Sequence, residues 1–175
     1  MSNSNQPKES PAGLASNQYR TLMREHAAAV AIVATGTANA RVGLTATSVS
    51  SLSASPPQLL VCVGRTTQAH QAITENGFFS VNFLAEPQHE LAEVFAGRRG
   101  VSGNDRFTHA TWAELSTGAP VLDGAIANLD CELQESHQFS THSIFVGRVV
   151  AGRHDDRTTP LLYFRGKYRN LADRT

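Results

Sequence analysis

Between Ala127 and Gln134 the chain alternates without a break: Ala127, Leu129, Cys131 and Leu133 are small or apolar, while Asn128, Asp130, Glu132 and Gln134 are polar. A period of two marks an antiparallel strand with one face on a core and the other in water, and no helix can use it. Other runs suit the same architecture. AAAVAIVATG, residues 27–36, is continuously apolar and stops at Gly36, so it reads as one buried strand. Its expected partner is Val42–Leu52, across the turn 37–40. Ser55-Pro56-Pro57 interrupts the chain, because proline lacks a donor and restricts its predecessor. Gln58–Gly64, then FFSVNFLA with Phe79, Val81 and Phe83 on one face, then SIFVGRVVAG and PLLYFRGKYRN bring the expectation to about seven strands.

Three helices are expected. Tyr19, Leu22, Met23 and His26 fall at helical spacing within Asn17–His26, behind Ser16 or Asn17 as a cap. Thr66-Thr67 opens a second helix that Gly77 stops. Pro87 starts a third, carrying Leu91, Val94 and Phe95 and ending at Gly97. Gly97–Ala110 has glycines, charges and no periodicity, and reads as a mobile loop. Strands joined by short turns, with no repeat and no internal linker, predict a mainly-β chain: a closed or partly closed antiparallel barrel with a few flanking helices.

A length of 175 residues suits one domain. It is expected over 16–175, because the polar stretch 1–15 cannot bury enough surface to offset its ordering entropy and reads as a disordered tail. That stretch has no apolar core of the kind a signal peptide carries. Fifteen basic and fifteen acidic side chains cancel, which excludes a chain-wide footprint for nucleic acid. No apolar run approaches the roughly 18 residues of a membrane span. Cys62 and Cys131 both sit in apolar strands, so they read as reduced, buried residues of a cytoplasmic protein.

Four places can carry chemistry. Gly43-Leu-Thr-Ala-Thr-Ser-Val-Ser-Ser-Leu-Ser is unusually rich in hydroxyls for a strand. Either it is a half-exposed strand, where threonine is at home, or its hydroxyls and amides surround a phosphate or a polar ring. Gly64-Arg-Thr-Thr follows a strand and precedes a helix, which aims backbone N–H groups at an anion and adds the Arg65 charge; an ordinary cap with a solvated arginine is the other reading. His142 stands directly before an apolar strand, either as a capping residue or as a group meeting a ligand at a barrel rim. His137, His142 and Asp155 lack the spacing of a zinc site, so no metal is expected. His26, His70, His89, His109 and His154 read as surface residues. Arg165, Lys167 and Arg169 form either a charged edge or a cationic rim for a phosphorylated cofactor. No Gx[ST]xG elbow, P-loop or GxGxxG turn is present, which argues against a serine hydrolase and a Rossmann dehydrogenase.

Taken in order, GLTATSVSSLSASPPQLLVCVGRTTQAHQAI, GFFSVNFLAEPQHELAEVFA, a loop reaching DRF, GAPVLDGAIANLDCEL, THSIFVGRV and PLLYFRGKYR resemble the short-chain flavin reductases that serve two-component flavin-dependent monooxygenases. The resemblance spans roughly Tyr19 to Leu171. It implies a split β-barrel of the FMN-binding, Greek-key kind, a homodimer, and reduction of FAD or FMN by NADH or NADPH, with FAD and NADH favoured. Reduced flavin would pass to a separate oxygenase acting on an aromatic compound. Carried over, Gly43, Thr45, Ala46, Thr47, Ser48 and Val49 would line the flavin ring and ribityl chain. Cys62, Val63, Gly64, Arg65 and Thr67 would hold its phosphate end. His142, with Tyr163, Phe164, Arg165 and Gly166, would lie on the nicotinamide side. The family has Gly-Asp before that histidine, whereas Ser140-Thr141 stand here. The competing expectation is a split-barrel protein that binds flavin or haem without catalysis. Further off stand a ligand-free interaction domain and a pyridoxamine-phosphate oxidase.

Overall fold

The computed structural model describes residues 13–156 and 158–171, so most of the expected tail, 1–12, lies outside the described residues. Helix α1 (Ser16–Met23) is followed by β1 (Ala28–Ala29), β2 (Ala31–Thr35), β3 (Val42–Ala46), β4 (Val49–Ala54) and β5 (Pro57–Gly64). Next come α2 (Gln68–Asn76), β6 (Phe78–Phe83) and α3 (His89–Phe95), the last entered through a 3-10 turn over Glu86–Gln88. A second 3-10 segment, Gly103–His109, precedes β7 (Trp112–Glu114), β8 (Pro120–Leu122), β9 (Ala127–Gln138), β10 (His142–His154), β11 (Leu162–Phe164) and β12 (Lys167–Arg169).

Seven strands form one antiparallel sheet in the order β3-β2-β6-β9-β10-β5-β4. Its two edges, β3 and β4, are consecutive in the chain, so the sheet curls until they meet at the Thr47-Ser48 corner, yet no ladder joins them. The result is a barrel open along one seam. Inside it lie Ala31, Val33, Leu59, Val61, Val63, Phe79, Val81, Cys131 and Phe145, with Ile73 of α2 closing one end. Burial pushes the Cys131 thiol up to about 12. A second core outside the sheet packs Val30, Ile32 and Ala34 against α3, Phe107, Leu122 and Leu161. Strand β2 is therefore buried on both faces, which explains its unbroken apolar run.

Several expectations change. The run 27–36 is two strands: β1 pairs with β11 in a small three-stranded sheet, and β2 pairs with β3 and β6. Val30 sits between them, donating to Leu161 O and accepting from Leu84 N, both at 2.9 Å. Val42–Leu52 is likewise divided at the corner, and the C-terminal run is a hairpin, so the described residues hold twelve strands rather than seven. The wet face expected on β9 is covered at Asn128 and Asp130, 2% and 0% exposed, because β8 and the segment leading into it lie over them. The expected mobile loop contains the 3-10 segment, with Phe107 buried edge-on against Phe95 and Arg106 bonded to three backbone carbonyls. Helix α1 is capped by Ala15, ends at Met23 and buries none of its residues. The second helix follows expectation: Thr67 accepts the His70 N–H, and Gly77 closes the helix at φ +73°.

Candidate functional site

A cavity of about 770 Å³ opens where the barrel seam, α2 and α3 converge. One wall is β3 and its corner, from Val42 through Ser48, with Cys62 of β5 behind it. The corner is stitched to β5: Ser48 Oγ donates to Cys62 O at 2.9 Å, and Cys62 N donates to Ser48 O at 3.3 Å. Thr45 Oγ1 donates to Ala92 O at 2.7 Å, which ties β3 to α3. The exposed Thr47 hydroxyl makes no hydrogen bond among the described residues. Gly43 is required by close approach, since a Cβ there would lie 2.9 Å from the Phe95 ring and 3.0 Å from Val33 O.

The opposite wall begins at Gly64, where Thr67 turns the chain into α2, donating through Oγ1 to Gly64 O at 2.8 Å. Gln68 and Ala69 line the cavity at the first turn of this helix, where backbone N–H groups have no intrahelical acceptor. That end attracts anions. His142, paired in register with Gly64, also faces the cavity. Its Nδ1 meets Thr141 Oγ1 at 2.8 Å, so a neutral hydroxyl contacts the ring where the resembling family has a carboxylate beside it in sequence. Phe95, Ala96, Ser102, Gly103 and Arg106 complete the lining.

Of the residues picked from sequence, Gly43, Thr45, Ala46, Thr47, Ser48, Cys62, Gly64, Thr67 and His142 meet at this one cavity. Others do not. Val63 points into the barrel core at 1% exposure, and Val49 packs beside that core from β4. The Arg65 guanidinium turns away to the β9–β10 turn, donating to Phe139 O and Ser140 O at 3.4 and 3.3 Å. Tyr163 lines a smaller cavity of about 170 Å³ that shares Thr45, Ala46, Thr47 and Ala96 with the first. Arg98 and Tyr168 line it too, with Glu93 bonded to Arg98 at 2.7 Å. Burial, then the Glu93 hydrogen bond, pushes the Tyr168 phenol up to about 12. Phe164, Arg165 and Gly166 line neither cavity: they belong to the β11–β12 hairpin, where Arg165 lies over the Phe164 ring and pairs with Glu25 at 2.7 Å.

Sequence reasoning missed two residues near this cavity. Arg106 belongs to the DRF segment quoted for the resemblance but was given no role there, and it is held by backbone carbonyls, which every residue has. His70 is not the surface residue expected: its Nε2 lies 2.8 Å from Oγ of buried Ser143, and its ring packs on Phe145. Burial, then the Arg65 charge, holds its imidazole below the usual range. Among the described residues no cluster of His, Cys, Asp or Glu could hold a metal ion, and no helix is long and apolar enough to cross a membrane.

A flavin reductase like domain profile matches residues 23–172. The FMN reductase (NADH) RutF of Stutzerimonas stutzeri is 40% identical over 154 residues, which is 88% of this chain and 87% of the relative. BorF, the flavin reductase component of a bacterial two-component tryptophan halogenase, superposes with a TM-score of 0.83 at 35% identity, covering 91% of this chain and all of BorF. The NADH:FAD oxidoreductase SgcE6 of Streptomyces globisporus C-1027, solved with NAD and FAD fragments, gives 0.82 at 30% identity over 92% of this chain and 98% of its own. The chain belongs to the flavin reductase family and is an oxidoreductase with that family's split-barrel fold. Membership sets aside the non-catalytic flavin- or haem-binding alternative.

Proposed function

We infer that this protein is an NADH-dependent flavin reductase that binds FMN or FAD in the large cavity, reduces it, and releases it to a separate oxygenase component acting on an aromatic compound. It works in the cytoplasm as a homodimer. The observation that carries the reading is the meeting, in one cavity, of a polar strand corner, the open first turn of α2 and His142. An amide-lined helix end suits a flavin phosphate, and the corner beside Thr47 suits the polar edge of the ring system. The name of the Stutzerimonas relative favours FMN with NADH, and that of the Streptomyces protein favours FAD. When bound, the flavin supplies the redox chemistry, accepting a hydride from the nicotinamide. The protein's part is to hold both rings and exclude misaligned poses. His142 would position the nicotinamide, with Thr141 fixing the orientation of its ring.

Release sets the affinity. With association near 10⁶ per molar per second, a nanomolar complex would dissociate at about 10⁻³ per second, far below a turnover of about 10 per second. Flavin should therefore bind in the micromolar range, about −8 kcal/mol. Desalting should strip most of the yellow colour, and NADH oxidation should saturate with added FMN or FAD. Stoichiometric flavin surviving dialysis, with a rate indifferent to added flavin, would refute the release step.

Two substitutions divide the labour. His142→Ala should raise the NADH KM or slow stopped-flow flavin reduction, with flavin affinity measured without NADH unchanged. A lowered melting temperature with normal kinetics would make His142 a strand cap instead. Arg65→Ala should change flavin affinity less than about threefold, because its guanidinium lies on the hairpin carbonyls. A direct charge-assisted phosphate contact would instead cost about 1.5–3 kcal/mol, roughly 10- to 150-fold.

A further inference from the structure

His70 directly follows Gln68 and Ala69, the two α2 residues that line the large cavity, yet its own side chain reaches into the interior. Its Nε2 lies 2.8 Å from Oγ of fully buried Ser143, and that hydroxyl has no other hydrogen-bond partner among the described residues. The ring also rests on Phe145, two residues further along β10, with centroids 5.0 Å apart. Neighbouring side chains on a strand point to opposite faces, so His142 looks into the cavity while Ser143 looks inward at His70. One hydrogen bond thus joins two walls of the cavity. On one side is the helix turn with open N–H groups, and on the other the strand residue next to His142.

The other ties of α2 do different work. Ile73 plugs the barrel end through apolar contact, which has no direction. Asn76 donates to Thr35 Oγ1 at 3.0 Å, but from the last residue of the helix, roughly 12 Å along its axis from Gln68. Thr67 bonds to Gly64 O and receives the His70 N–H, both within the turn itself. Before the helix, Arg65 N donates to Thr141 O at 3.0 Å, a backbone bond open to any residue but proline. Thr141 and Ser143 flank His142, so this bond and the His70 bond bracket it, and only the second depends on a particular side chain. Resting on the reading of the cavity as a flavin and nicotinamide site, we propose that His70 is a positioning residue. Its bond to Ser143 holds the anion-attracting turn of α2 in register with His142, so that the flavin phosphate end and the nicotinamide are fixed relative to each other.

The test uses the full chain with His70→Phe, which keeps a ring on Phe145, and with Ser143→Ala, which removes the same bond from its other end. Fluorescence titrations compare FMN with riboflavin, which has no phosphate, and stopped-flow absorbance follows flavin reduction at saturating FMN and NADH. Each variant should lose about fivefold in FMN affinity and in the saturated reduction rate, with riboflavin affinity held within about twofold. The double variant should lose no more than either single one, because both remove one bond. His70→Gln, whose amide reaches the place of Nε2, should bring FMN affinity back to within about twofold of the unsubstituted chain. A lower melting temperature with FMN affinity and reduction rate unchanged would overturn the proposal and leave His70 a brace of the fold. Equal losses on FMN and riboflavin, or losses that add in the double variant, overturn it as well. Should His70→Phe fail to fold, Ser143→Ala and His70→Gln decide by the same readings. An unsubstituted chain that binds no flavin would remove the functional reading itself, an outcome distinct from flavin binding that ignores His70 and Ser143.

Discussion

Asn82→Leu should lower the melting temperature of the ligand-free protein by about 10 °C, which thermal unfolding will check. Asn82 is fully buried and uses both ends of its amide. Its Oδ1 accepts from Leu122 N at 2.9 Å and from Asn128 Nδ2 at 2.8 Å. Its Nδ2 donates to Ile32 O at 3.1 Å and to Ser80 Oγ at 3.0 Å. One side chain thus joins β2, β6, β8 and β9. Leucine preserves much of the volume but strips the acceptor from two donors in a dry interior. Each loss costs about 1–3 kcal/mol, so the sum is about 3–5 kcal/mol. For a chain of this size each kcal/mol moves the midpoint by about 2–4 °C. A shift below about 3 °C would mean that water reaches the network and that β8 does not seal it.

Gly64→Phe should abolish flavin binding at ordinary assay concentrations while leaving the fold in place. Gly64 lines the cavity, and a Cβ there would meet only Thr67 Cγ2 at 3.5 Å and His142 Nε2 at 3.8 Å, ordinary contacts. The backbone therefore accepts a side chain, and a benzyl group would project into space the flavin needs. Affinity should fall by about 100-fold or more, about 2.7 kcal/mol, with the melting temperature held within about 3 °C. Gly64→Ala is the control and should cost only a few-fold. Undiminished FMN and FAD titrations in the phenylalanine variant would place the flavin elsewhere.

Local signals carried the fold a long way, and their failures have physical causes. Thr67 and Gly77 bracket α2 because caps act within one turn, where sequence neighbours decide. Val30 gave no warning of a strand break, since apolar residues lie on both sides and partner exchange requires neither proline nor glycine. On β9 the alternation was real, but period two says only that the faces differ, not that one is wet. Asn128 and Asp130 are buried because distant residues supply their partners: Asn82 for one, Thr117 for the other. The site divides in the same way. The hydroxyl-rich corner and the helix start were legible because each is contiguous in the chain. The placement of the Arg65 and Arg106 guanidinium groups was not, because a guanidinium reaches far and both bind backbone carbonyls, which every residue has.

Val30, Leu84 and Leu161 hydrogen-bond in a closed ring, each backbone amide donating to the next carbonyl at 2.9 Å. During synthesis that ring has a timetable. β1 leaves the ribosome well before its partner residues, since Ala28 and Ala29 pair with Tyr163 and Leu162, more than 130 residues further along. At about 5–20 residues per second, Ala28 and Ala29 wait on the order of ten seconds for their ladder. Throughout that interval their edge is open to proteases, to chaperones and to other nascent chains. The small sheet thus seals β1 long after the barrel strands have been made, and truncation before Leu161 would leave the barrel intact in sequence but β1 permanently unlatched.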